Sequence, residues 1–117
     1  MTPEMAKRSH RRMLNQVGED VTFRRYTGSG ASRPYFDATA KARVMEFDAA
    51  ELVGGIIQGD RKLIVLAQDL FDAQWPVPPV KGDKAIVRGR VLNIEAVDDN
   101  TRRIAGELVA YEIVVRG

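Results

Sequence analysis

The spacing of hydrophobic positions changes along the chain, and each change marks an element. Met5, Met13, Leu14 and Val17 recur at near-helical spacing with lysines and arginines between them. Thr2-Pro3-Glu4 places a hydroxyl cap, a proline at the first helical position and an acid in the first turn, and Gly18 is a natural stop. Residues 1–18 therefore read as a basic N-terminal helix or arm. Its amphipathicity is partial, so it is expected to dock on a neighbour as much as on its own domain. From Asp20 the period becomes two. Val21, Phe23 and Arg25 alternate with Thr22, Arg24 and Tyr26, which predicts a half-buried strand. Residues 27–32 are a glycine- and serine-rich turn. Alternation resumes over 38–45, where Ala40, Ala42 and Val44 oppose Thr39, Lys41 and Arg43, predicting a second strand with one wet side.

Residues 47–60 follow neither period. Leu52, Val53, Ile56 and Ile57 lie there among Gly54, Gly55 and Gly59, and apolar residues in a loop need something to pack against. Two readings stay open: the loop covers its own core, or it reaches another chain. Residues 61–67 are apolar on both faces and predict a central strand. A helical turn over 68–75 leads to Pro76-Val77-Pro78-Pro79, a rigid connector whose prolines cannot donate ladder hydrogen bonds. Trp75, the sole tryptophan, is expected to cap the bottom of the core, with a partner surface as the alternative. Lys81-Gly82-Asp83 is a turn, 84–88 a short strand, Gly89 a reversal and 91–97 the returning strand. Leu92, Ile94 and Ala96 face one way there, and Asn93 and Glu95 the other. A polar connection over 98–103 precedes a last strand at 107–115, with Val109, Tyr111, Ile113 and Val115 on one face. The pattern predicts a mainly β fold: a small β-barrel or sandwich of about six strands. A short N-terminal helix precedes it, residues 19–117 form the single barrel domain, and residues 47–60 make one long inter-strand loop.

Composition narrows the chemistry. The chain has 117 residues, 44% hydrophobic and 29% charged, enough for one core without staples. With no cysteine there is no disulfide scaffold, thiol nucleophile or thiolate metal site. No apolar run reaches the roughly 20 residues of a membrane helix, and no apolar signal-type core follows the basic N-terminus, so a soluble protein made in the cytoplasm is expected. The net charge is only +2, but through Arg33 the basic residues Lys7, Arg8, Arg11, Arg12, Arg24, Arg25 and Arg33 face only Glu4, Glu19 and Asp20. Lys7, Arg8, Arg11 and Arg12 are candidate contacts to DNA or an acidic partner; a solvated helix face is the plainer reading. His10, the one histidine, has no carboxylate pattern near it, and the glycine pairs lack the strand–helix context and lysine of a nucleotide loop. Neither a catalytic, a cofactor-binding nor a metal-binding set emerges, so function is expected in surfaces and not in an enzymatic pocket. A ring-forming assembly module and an OB-like nucleic-acid binder both fit. The second is short of aromatics, with only Phe23, Tyr26, Tyr35 and Phe36 near basic residues.

The order of segments carries a resemblance. A short helix is followed by Asp20-Val21-Thr22-Phe23-Arg24-Arg25 and Ala42-Arg43-Val44. Then comes the most specific stretch, Glu51-Leu52-Val53-Gly54-Gly55-Ile56-Ile57-Gln58-Gly59-Asp60-Arg61-Lys62. Trp75-Pro76-Val77-Pro78-Pro79 and the run from Lys81-Gly82-Asp83 through Gly89 to Ala110-Tyr111-Glu112 complete it. From about Glu19 onward this resembles the head–tail joining, or head-closure (stopper), proteins of long-tailed bacteriophages and related prophages. The resemblance implies a virion component without cofactor or enzymatic activity, a homo-oligomeric ring, sixfold or twelvefold, at the head–tail interface. A portal or adaptor protein would lie on the head side and a tail protein on the other, with non-specific contact to packaged DNA and none to membrane. It assigns the partner or ring interface to the long loop: Leu52, Val53, Gly54, Gly55, Ile56, Ile57 and Gln58.

Overall fold

The computed structural model of the protein describes residues 1–47 and 59–117. Helix α1 (Pro3–Val17) begins where the cap predicts: Thr2 Oγ1 accepts a hydrogen bond from the Met5 amide at 3.2 Å, and Pro3 occupies the first turn. Its buried face takes in only part of the larger apolar residues that the spacing picks out. Ala6 and Leu14 are buried and Met13 half-buried, whereas Met5 and Val17 are exposed. Ala6 and Leu14 pack on Leu66 and Val109, fastening the helix to the outside of the barrel. Gly18 ends the helix for a different reason from the left-handed turn that usually calls for glycine. Its backbone is extended (φ −83°, ψ 162°), and a Cβ there would lie 2.4 Å from the Leu14 carbonyl oxygen. Close approach makes the glycine necessary, not a positive φ.

Six strands form a closed barrel: β1 (Glu19–Tyr26), β2 (Tyr35–Glu46), β3 (Arg61–Leu66), β4 (Lys84–Val87), β5 (Arg90–Asp98) and, after a small hairpin, β8 (Ala110–Arg116). Their order is β1-β2-β3-β8-β5-β4, β4 returning to β1, with every pairing antiparallel. Two elements interrupt the sequence of barrel strands. Helix α2 (Ala67–Asp72) follows β3, and the two-residue strands β6 (Arg103–Ile104) and β7 (Glu107–Leu108) pair with each other. Closure leaves the six strands no free edge.

Period-two patterning fills the interior. Phe23 is flanked across the two ladders by Ala38 on β2 and Ala85 on β4, so one large ring sits between two small residues. Trp75 meets Phe23 edge-on at 6.2 Å and donates its indole N–H to the Phe36 carbonyl at 3.1 Å, which closes the core as expected of it. Strand β3 is apolar on both faces because both are covered. Leu63 and Val65 belong to the barrel interior, while Leu66, on the outer face, lies in the cluster under α1.

Two alternations slip. A bulge between Ile94 and Ala96 moves the register on β5, so Ala96 is exposed and Val97, not Ala96, packs against the core. The single last strand expected over 107–115 is broken at Val109. Its side chain joins the cluster under α1, its N–H donates to the Arg102 carbonyl, and its own carbonyl accepts from the Ala67 amide.

The β1–β4 seam is short, running from the pair Val21↔Val87 to Arg24↔Lys84. Forked arginine–carboxylate pairs bracket it at both ends. Beyond one end, Arg25 Nε and Nη2 donate to the two oxygens of Asp83 at 2.9 and 2.8 Å, and Arg25 also donates to the Pro78 carbonyl. Beyond the other, Arg88 grips Glu19 at 2.9 and 2.8 Å. Asp83 is 4% exposed and also accepts the Val80 amide, so it orders the turn before β4 as well as the seam. Replacing Asp83 with alanine strands a partly buried guanidinium and should cost about 3 kcal/mol in urea unfolding, with the exposed Glu19→Ala change clearly milder. Gly18→Ala, which forces a Cβ against the Leu14 carbonyl, should lower stability by about 1–3 kcal/mol. A wild-type unfolding midpoint for that variant would refute the close-approach account.

Candidate interaction surfaces

The residues assigned to a ring or partner interface, Leu52, Val53, Gly54, Gly55, Ile56, Ile57 and Gln58, lie outside the described residues. The described residues on either side of them are fixed to the barrel. Glu46 and Arg61 are paired at the end of the β2–β3 ladder. Just before β3, Asp60 is buried, 2% exposed, and accepts from Arg116 Nε and Nη2 of β8 at 2.8 Å each. This hydrogen bond raises the Arg116 pKa above its ordinary value. Phe47, on the other side, lies beneath the Lys62 ammonium, 5.5 Å from its ring centre. The segment's two ends are thus held together at one rim of the barrel.

The four basic residues of α1 divide into two pairs. Lys7 binds Glu107 of β7 at 2.8 Å and Glu4 at 3.4 Å. Arg11 forks onto Asp69 of α2, Nη1 donating to Oδ2 at 3.0 Å and Nη2 to Oδ1. Hydrogen bonds to these carboxylates, Glu107 first for Lys7 and Asp69 for Arg11, raise both pKa values. These two cations serve to attach the helix. Arg8 and Arg12, one turn apart, are exposed and make no ion pair among the described residues; with exposed Met5 they form the outward stripe of α1.

Of the four aromatics near basic residues, Phe23 is core and Tyr26 half-buried, while Tyr35 and Phe36 are 51% and 55% exposed. Tyr26 and Tyr35 face each other across the free end of the β1–β2 hairpin, edge-on at 5.7 Å. The Arg24 guanidinium lies 4.0 Å from the Tyr35 ring centre and Arg33 4.0 Å from that of Tyr26. Arg24 is also forked onto Asp37 at 2.8 Å, which raises its pKa.

Among the described residues no group of three His, Asp or Glu side chains is placed to hold a metal ion, and no helix is long and apolar enough to cross a membrane. His10 lies on the docked side of α1, between Ala6 and Leu14. Its Nδ1 is 2.9 Å from the Ala6 carbonyl and its Nε2 is 2.9 Å from Arg102 Nη1. The sequence carried a signal for this position, because Ala6, His10, Met13 and Leu14 follow the i, i+4, i+7, i+8 spacing of one helix face. The Asp60–Arg116 and Arg25–Asp83 pairs had no such local signal. No family model and no curated protein matches the chain.

Asp98 holds the connection that carries Arg102. Its carboxylate accepts the Asn100 and Thr101 amides at 2.8 and 3.0 Å and the Thr101 hydroxyl. These bonds, the hydroxyl's first, pull its pKa below the ordinary aspartate range. A carboxyl depressed in the folded state stabilises fully above its unfolded value, about 3.9, and loses that contribution as pH falls through the lower folded value. The stability gap between wild type and Asp98→Ala, measured by urea unfolding, should therefore be constant from pH 7 to about 5 and shrink below about 4. A gap that is unchanged at pH 3 would contradict the role given to these bonds.

Proposed function

We propose that this chain is a structural virion protein that joins a DNA-filled head to the tail of a long-tailed phage particle and acts as a ring of identical subunits. The observation that carries this reading is the length and composition of the connection between β2 and β3, to which the resemblance's most specific stretch, 51–62, contributes. Antiparallel neighbours such as β2 and β3 need only a tight turn between them. Here residues 47–60 intervene, bearing four large aliphatic side chains, and the barrel clamps both ends of the segment at one rim through Glu46↔Arg61 and Asp60–Arg116. A connection of this length and composition, on a barrel whose six strands leave no free edge, suits contact with other chains. A ring requires two different complementary patches on each subunit. In this reading the 47–60 segment supplies one, and the Met5–Arg8–Arg12 stripe of α1 supplies the other.

A nucleic-acid-binding module is the second reading, favoured by the arginine-stacked tyrosines at the β1–β2 hairpin end. Against it, six closed antiparallel strands differ from the five-stranded, partly open OB barrel.

Deleting the gene from the genome that encodes the chain should yield DNA-filled heads and separate tails in electron micrographs. A chain lacking residues 53–57 should fold, by its NMR spectrum, yet fail to restore joined particles. Normal joined particles from the gene deletion would end this reading. Steeply salt-dependent binding to single-stranded oligonucleotides, lost in Tyr35→Ala, would favour the second.

A further inference from the structure

We propose that the cleft between α1, β2, β3 and the β5–β6 connection is an anion site that takes a phosphate group. The cleft has a volume of about 240 Å³, which leaves room for a phosphate with part of its hydration. Ile64 forms an apolar floor, with Met13 and Met45 beside it, and the polar groups are Ser9, His10, Arg43 and Arg102.

The two arginines arrive from distant parts of the chain. On β2, Ala42 is turned into the core, so Arg43 stands outward opposite Ile64. It is half-buried and makes no ion pair or side-chain hydrogen bond among the described residues. Arg102 comes from the connection that Asp98 orders. Its Nε is buried without a hydrogen-bond partner, and the nearest carboxylate oxygen, on Glu112, is 3.7 Å away, too far for a hydrogen bond. Glu112 also lies 3.5 Å from the Lys62 ammonium, so it is shared between two cations.

His10 positions Arg102 without adding charge. The Ala6 carbonyl can only accept, so Nδ1 carries the imidazole proton and Nε2 is the acceptor for Arg102 Nη1. An unpaired buried donor costs stability until something accepts from it, and forked guanidinium donors match the oxygens of phosphate. Arg43, the remaining donors of Arg102 and the Ser9 hydroxyl supply that recognition. The phosphate can be free inorganic phosphate or a group of a DNA backbone; the chemistry of the site is the same for both. This inference does not depend on the head–tail reading.

The test is an NMR titration of the ¹⁵N-labelled full chain at constant ionic strength, read at the arginine Nε–Hε signals and the Ser9 and Arg102 amides. Sodium phosphate forms one arm, a short DNA duplex the second, and sodium chloride the reference. A saturable shift of the Arg102 Nε–Hε signal is expected, weakened about tenfold in Arg43→Gln, the loss of one charge-assisted contact, and kept in Arg12→Gln on the exposed helix stripe. Saturation by phosphate identifies the free anion as ligand; saturation by duplex alone identifies the backbone. Arg43→Met, which keeps the packed stem, replaces Arg43→Gln if that variant loses the barrel's spectrum. No saturable shift in either arm would overturn the proposal. So would a shift that survives loss of Arg43, or one that Arg12→Gln weakens equally.

Discussion

Closure of the sheet at the β1–β4 seam is the constraint on which the rest of this molecule depends. Two three-stranded meanders, β1-β2-β3 and β4-β5-β8, each leave edges that would otherwise be open to other strands. Pairing β3 with β8 joins them once; pairing β1 with β4 makes the barrel. That second junction is the shorter, and Arg25–Asp83 continues its register by one more opposed pair. Because Asp83 also accepts the Val80 amide, the ion pair couples the seam to the proline-rich connector that delivers β4. A buried pair of this kind contributes little net stability against an apolar replacement, but it penalises every register that separates its partners.

A closed barrel filled by its own side chains leaves the outer surface and the strand connections as the places where recognition can occur. The outer surface is not uniform. One side of α1 is attached through Ala6 and Leu14 and through the Lys7 and Arg11 ion pairs, and its other side presents Met5, Arg8 and Arg12. At one rim Asp60 is fastened to Arg116 just before β3; the β1–β2 hairpin end presents two edge-on tyrosines with arginines over their rings. These features share a physical origin. Charged side chains near the barrel either bind each other and fix geometry, or remain available to meet another molecule, and the pairing pattern sorts them.

The elements were readable where local chemistry and periodicity agree. The Thr2-Pro3-Glu4 cap, the alternation of Val21 and Phe23, and the Gly89 reversal are decided within a few residues. The slips on β5 and β8 were not readable, because alternation cannot register a bulge after Ile94 or a backbone break at Val109 whose amide and carbonyl find partners elsewhere in the fold. Helical spacing puts Met5 and Leu14 on opposite faces of α1 but does not say which face is buried. Both are apolar, and only the position of Leu66 and Val109 beneath the helix selects the face carrying Ala6 and Leu14.

By itself, then, the chain's patterning determined a mainly β architecture with a capped basic helix in front, since cap geometry and two-residue alternation are local properties of the backbone. Tertiary structure alone decided whether the strands closed, which arginines met carboxylates and which did not. Arg11 and Arg12 are neighbours in sequence, yet one is forked onto Asp69 and the other is open to solvent. Arg43 and Arg102, far apart in sequence, line one cleft. Charge pairing depends on distances of a few ångströms between segments remote in sequence, and those distances exist only once the barrel has closed.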